Sequence, residues 1–176
     1  IDPFDPSSTP KKRTALGRFK HENAAQTFAD DGRVVVYMGD DQANDYVYKF
    51  ISDGRYDEAT PALNRNLLES GTLYVARFEA GASEGDQMGT GEWIALKLDT
   101  PTTDGGTLAD LYDDIGELLV NTRLAADAVG ATKMDRPEWV TTHPDTREPY
   151  LTLTNNSGRT ETDDANPRAA NIYGQI

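Results

Sequence analysis

Arg33-Val34-Val35-Val36-Tyr37-Met38 and Tyr46-Val47-Tyr48-Lys49-Phe50-Ile51 are two runs of β-branched and aromatic residues, joined by the polar stretch Gly39-Asp40-Asp41-Gln42-Ala43-Asn44-Asp45. Side chains of this kind suit a pleated, half-buried surface, and Gly, Asp and Asn at the boundaries mark turns. The segment predicts two strands, 33–38 and 46–51, with a long hairpin connection between them. Similar runs at 16–21, 73–78 and 93–98 predict three more strands.

Outward from these strands the period changes. Thr107 precedes apolar Leu108, Leu111, Ile115, Leu118 and Leu119, the spacing of one face of an α-helix. Thr107 is placed to cap it, with Asp110 adding charge to the first turn. A second helical segment, 122–129, carries Leu124, Ala125 and Ala128 and stops at Gly130, a residue suited to the left-handed position after a helix. Strand signals resume at 134–140 and 149–154 around the turn-forming His143-Pro144-Asp145-Thr146-Arg147. Residues 159–168 read as a loop and 171–176 as the beginning of a strand. The first dozen residues, rich in Asp-Pro and Ser, read as a linker or extended lead-in, leaving 13–176 as the folded segment. Short strands with one helical insertion near 107–130 predict a mostly β, antiparallel architecture, a β-propeller or a sandwich. No strict repeat of blade length is visible.

The 176 residues include 30 acidic and 17 basic side chains, two histidines and no cysteine, for a formal charge of -13. That balance excludes a general nucleic-acid binder, because affinity for phosphate backbones comes from clustered Lys and Arg. A cation-binding surface is the more natural expectation. No apolar run approaches the roughly 18 residues that cross a bilayer, and no signal-peptide pattern follows Ile1, so no membrane partner is expected. Leu, Ile, Val and Phe together make up only 33 of 176 residues. A complete domain of this size buries about 70% of its extended surface. The apolar content is thin for that, as expected of a loop-rich fold or of part of something larger.

Met134-Asp135-Arg136-Pro137-Glu138-Trp139 is the strongest chemical constellation. On an extended strand Arg136 and Glu138 share one face, about 6–7 Å apart, and Asp135 takes the other. Pro137 restricts the strand to an edge, a start or a bulge. A guanidinium there offers a planar fork for phosphate oxygens, and the carboxylate offers hard ligands to Ca²⁺ or Mg²⁺. The plain alternative is a surface Arg–Glu pair. In Gly17-Arg18-Phe19-Lys20-His21-Glu22, Lys20 and Glu22 alternate on one face, and His21 is either a ligand or base or simply a hydrogen-bonded, partly buried ring. Asp40, Asp41 and Asp45 lack the spacing of an EF-hand and read as a solvated loop. Asn155-Asn156-Ser157 matches a glycosylation acceptor, and the glycines between 85 and 91 lack the Gly-Lys-Ser/Thr of a phosphate loop.

Six segments, taken in order, carry a resemblance. They are Ala15-Leu16-Gly17-Arg18-Phe19-Lys20-His21-Glu22, Val34-Val35-Val36-Tyr37-Met38-Gly39-Asp40-Asp41, Tyr46-Val47-Tyr48-Lys49-Phe50, Gly71-Thr72-Leu73-Tyr74-Val75-Ala76-Arg77-Phe78, Met134 to Trp139, and Thr152-Leu153-Thr154-Asn155-Asn156. From about Lys12 onward the chain resembles the PhoX-type alkaline phosphatases. The resemblance implies an incomplete β-propeller of two to three blades, phosphate-monoester hydrolysis at a cofactor of iron and calcium ions, and a periplasmic or extracellular setting. It also implies that Glu22 and Glu138 are metal ligands, that Arg136 is the phosphate-binding cation, and that Asp135 is structural. The family's iron is held partly by a cysteine, which this sequence lacks, and its members are several times longer. The remainder of the propeller is therefore expected to lie outside these residues, leaving the isolated chain inactive. A non-catalytic calcium-dependent binding or scaffold module is the alternative.

Overall fold

The structure is a computed structural model that describes residues 5–83 and 88–176. Residues 1–4 of the expected lead-in and 84–87, which include part of the glycine-bearing stretch before Gly91, lie outside the described residues. Among those described, the strands are β1 (His21–Phe28), β2 (Arg33–Asp40), β3 (Ala43–Asp45), β4 (Val47–Arg55), β5 (Gly71–Ala80), β6 (Gly89–Ala95), β7 (Met134–Asp135), β8 (Pro137–Thr142) and β9 (Pro149–Leu153). One antiparallel sheet runs β1-β2-β4-β5-β6; β3 pairs with β7, and β8 with β9. The architecture is mostly antiparallel β, with helices α1 (Pro61–Asn64), α2 (Ile115–Val120) and α3 (Thr122–Ala128).

The central sheet is covered on both faces, and strand alternation sorts its side chains between them. Val36 and Met38 of β2, Tyr48 and Phe50 of β4, and Leu73 and Val75 of β5 point to a core shared with Leu108, Leu118, Ala125, Ala126 and Val129 of the helical insertion. Val47 and Ala76 point the other way and pack on Met134 and Leu153. Each fully buried aliphatic side chain contributes roughly 1.5–3 kcal/mol by leaving water. A buried polar cluster anchors the C-terminal segment to the second face: the Arg159 guanidinium is paired with Asp135, whose other oxygen accepts from Asn171 Nδ2 at 3.0 Å. Asp135 is thus structural, as expected.

Four of the five runs expected before residue 100 overlap strands over three residues or more; the first meets one only at His21. Residues 14–16 form a 3-10 turn, and the strand begins only at His21. The reason is a competing set of partners. Arg18 N–H donates to Leu119 O and Thr122 Oγ1, tying the 17–20 backbone to the helices, while the Phe19 ring stacks on Tyr48 at 4.2 Å.

The helical insertion starts where the spacing places it, with a reciprocal cap between Thr107 and Asp110. It is not one helix. Asp114 accepts from Glu117 N–H at 2.8 Å and Glu117 Oε2 accepts from Asp113 N–H at 2.8 Å, so a second cap interrupts the run, and Leu111 and Ile115 stay exposed. Gly130 adopts φ +72, the left-handed position expected of it. Residues 171–176 make isolated bridges through Asn171 and Gln175 rather than a strand. Among the described residues no helix is long and apolar enough to cross a membrane.

The loop expected to be solvated is the most firmly held part of the sheet's end. Asp40 is fully buried and Asp45 nearly so. Arg123 of α3 grips Asp40 with two bonds, Nε to Oδ2 at 2.7 Å and Nη2 to Oδ1 at 2.5 Å, and lies 3.5 Å from Asp45. Burial, then the neighbouring Asp40, pushes the Asp45 carboxyl above its ordinary 3.8, and the hydrogen bond to Asp40 raises the Arg123 guanidinium further.

Two outcomes follow for stability. Leu118→Ala, at a fully buried site, should cost about 2–5 kcal/mol in urea unfolding. Arg123→Met should cost at least about 3 kcal/mol at neutral pH, because it strands a buried carboxylate. Since the folded pKa of Asp45 is raised, its contribution favours the native state at low pH and is lost as pH rises through that folded value. Unfolding measured across a pH series should therefore show Arg123→Met recovering stability as the pH falls toward 3.8, the ordinary Asp value.

Candidate functional site

The candidate residues collect at one end of the sheet, where β1 begins, β2 ends and β7 gives way to β8. Arg136 sits between β7 and β8 with φ +43, a left-handed conformation that ends one strand and lets Pro137 start the next. The strand expected over 134–140 is therefore broken at the arginine. Simple alternation does not operate there, yet Arg136 and Glu138 still converge, with Nη2 3.3 Å from Glu138 Oε1.

Two further groups close around the guanidinium. Asp41 Oδ1 accepts from Arg136 Nε at 3.0 Å and lies 2.9 Å from Nη2, and Asn155 Oδ1 accepts from Nη1 at 3.3 Å. Glu138 Oε1 also accepts from Thr154 Oγ1 at 2.7 Å. These side chains are part-exposed, 36% for Arg136, 24% for Asp41 and 21% for Glu138, so the cluster is reachable from solvent. One cation is held by two carboxylates, and the guanidinium is fixed in orientation before any anion arrives.

Glu22 lies on a register shift in β1, where His21 faces Asp40 and Ala24 faces Met38. It is exposed, and its side chain makes no hydrogen bond or ion pair among the described residues. Its neighbour Asn23 clamps β8, accepting from Val140 N–H at 2.9 Å and donating to Val140 O at 3.1 Å. β2 approaches the same strand without an intervening side chain: a Cβ on Gly39 would stand 2.5 Å from the carbonyl oxygens of Pro137 and Glu138. His21 stacks on Phe19 at 3.7 Å, with Nε2 3.1 Å from Gly17 O; desolvation pushes its pKa below the ordinary 6.5. It is a packed, hydrogen-bonded ring.

Among the described residues no three His, Asp or Glu side chains stand close enough together to hold a metal ion. Ca²⁺ takes six to eight oxygens, and the Asp41–Glu138 pair is already bridged by a guanidinium. The described residues by themselves do not complete a metal site. Asp41 and Asn155 belong to the cluster although the sequence reading assigned one to a solvated loop and the other to a glycosylation motif. The one available signal was that both lie inside the six family-like segments.

The family model described as "Alkaline phosphatase PhoX" matches residues 1–176. Among solved structures, Pseudomonas fluorescens PhoX in complex with vanadate, a transition state analogue, matches with a TM-score of 0.87 at 50% identity, over 99% of this chain and 30% of that chain. No curated protein matches. This chain thus spans 30% of the length of the solved chain it matches. With the model covering every residue and half of the aligned positions identical, the chain belongs to the PhoX alkaline phosphatase family.

Proposed function

We propose that these residues form part of a phosphatase that hydrolyses phosphate monoesters, and that Arg136 binds the phosphoryl group. The observation that carries this reading is the guanidinium held by Asp41, Glu138 and Asn155 at a solvent-reachable end of the sheet, in a chain of this family. A planar fork fixed by carboxylates meets the oxygens of a phosphoryl group with little reorganisation, and such preorganised charge acts most strongly on the transition state. The relative's complex with vanadate, a transition state analogue, supports the same reading.

Calcium and iron are the cofactor we propose, with Glu22 and Glu138 as the carboxylates this chain supplies. The exposed position of Glu22, and the lack of a side-chain partner for it among the described residues, support it in that role. The other donors then come from outside these residues, in line with the coverage of 30% of the relative. On this reading residues 13–176 are two to three blades of a propeller that is completed elsewhere, the substrate is a small phosphate ester, and the enzyme works in the periplasm or outside the cell. The antiparallel five-stranded sheet supports the blade assignment. Neither the cluster nor the family match favours the calcium-dependent binding module.

In the intact protein that carries this chain, Arg136→Ala should lower turnover of p-nitrophenyl phosphate by two or more orders of magnitude, the scale of losing a transition-state charge stabiliser. Unchanged turnover would remove Arg136 from the mechanism. Calcium binding by the unaltered protein with no phosphatase activity would return the binding module.

A further inference from the structure

A second cationic feature adjoins the Arg136 cluster. An open cleft of about 450 Å³ is lined by Arg18, Phe19, Lys20, Arg123 and the apolar side chains of Val120 and Leu124. The Arg123 charge is engaged with Asp40 and Asp45. The side chains of Arg18 and Lys20, both on exposed residues, have no hydrogen-bonding or ionic partner among the described residues. Two cations with no side-chain partner among the described residues thus share one concavity in a chain whose formal charge is -13.

The cleft and the Arg136 cluster are linked through the backbone at Lys20. Lys20 N–H donates to Asp40 Oδ1 at 3.1 Å, and Asp41 N–H donates to Lys20 O at 3.0 Å. Asp41 is the residue whose carboxylate holds Arg136. The segment that carries the free cations is therefore bonded through its backbone to the segment that orients the arginine.

We propose that this cleft binds a second phosphate on the leaving group, so that the enzyme favours bisphosphorylated esters over singly phosphorylated ones. The inference rests on the phosphatase reading of Arg136. A fork and a compact ammonium are complementary to phosphate oxygens. Phe19, Val120 and Leu124 offer apolar surface to the carbon skeleton between the two phosphates. Over the rest of so acidic a surface a doubly phosphorylated ester is repelled, whereas Arg18 and Lys20 offer it opposite charge in the cleft.

The test compares fructose 1,6-bisphosphate with fructose 6-phosphate as substrates of the intact protein, unaltered and as the double variant Arg18→Gln, Lys20→Gln. The variant should lose at least about tenfold in kcat/KM on the bisphosphate, mainly through KM, while its kcat/KM on the monophosphate stays within about twofold. The substitutions Arg18→Lys and Lys20→Arg should restore most of the loss. An equal loss on both substrates, or none on either, would overturn the subsite and leave the phosphatase reading standing. Failure of the unaltered protein to hydrolyse either sugar phosphate would overturn that reading, and the subsite with it.

Discussion

Removing the Asp40 carboxylate from water is the step on which the rest of this structure depends. An isolated buried carboxylate costs several kcal/mol, and here Arg123 from α3 and the backbone N–H of Lys20 share the task of compensating it. Three separate parts of the chain meet at that one group: the lead into β1, the end of β2 and the helical insertion. The next residue, Asp41, turns its carboxylate to Arg136. A structural ion pair and the candidate site are therefore consecutive residues of one turn, and the orientation of the second follows from the burial of the first.

The thin apolar composition acquires a physical explanation from the two-sided sheet. One face is closed by α2, α3 and the turn before them with ordinary aliphatic packing. The other is closed by a smaller apolar patch, and beyond it by Asp135, Arg159, Asn166 and Asn171, all buried. Hydrogen-bonded polar side chains hold the C-terminal segment where a larger hydrophobic core would otherwise be needed. Such an arrangement is demanding, because each member left unpaired costs free energy.

Much of this could be read from residue types. The β-branched runs 33–38 and 46–51 lie almost wholly in β2 and β4, and the caps at Thr107 and Gly130 act where expected. β1 escaped detection because its more buried positions are filled by small and polar residues, Asn23, Ala25 and Thr27, while Ala24 and Phe28 are exposed, so no hydrophobic alternation marks it. In the site, Arg136 and Glu138 were legible because they are two residues apart. Asp41 and Arg136 are 95 residues apart, and only the folded chain brings them together. The acidic loop was misread for a related reason: its partner, Arg123, lies 83 residues away from Asp40. Local spacing carries no trace of such a pairing.

The contact of Gly39 with the Pro137 and Glu138 carbonyls brings two backbones together at a separation that no other amino acid permits. The gap between the sheet's end and the strand bearing Glu138 is thereby already at its floor. Sequence drift at position 39 can only pry the strand bearing Glu138 outward, so this spacing has a one-way tolerance, set by a hydrogen atom where every other residue has a carbon.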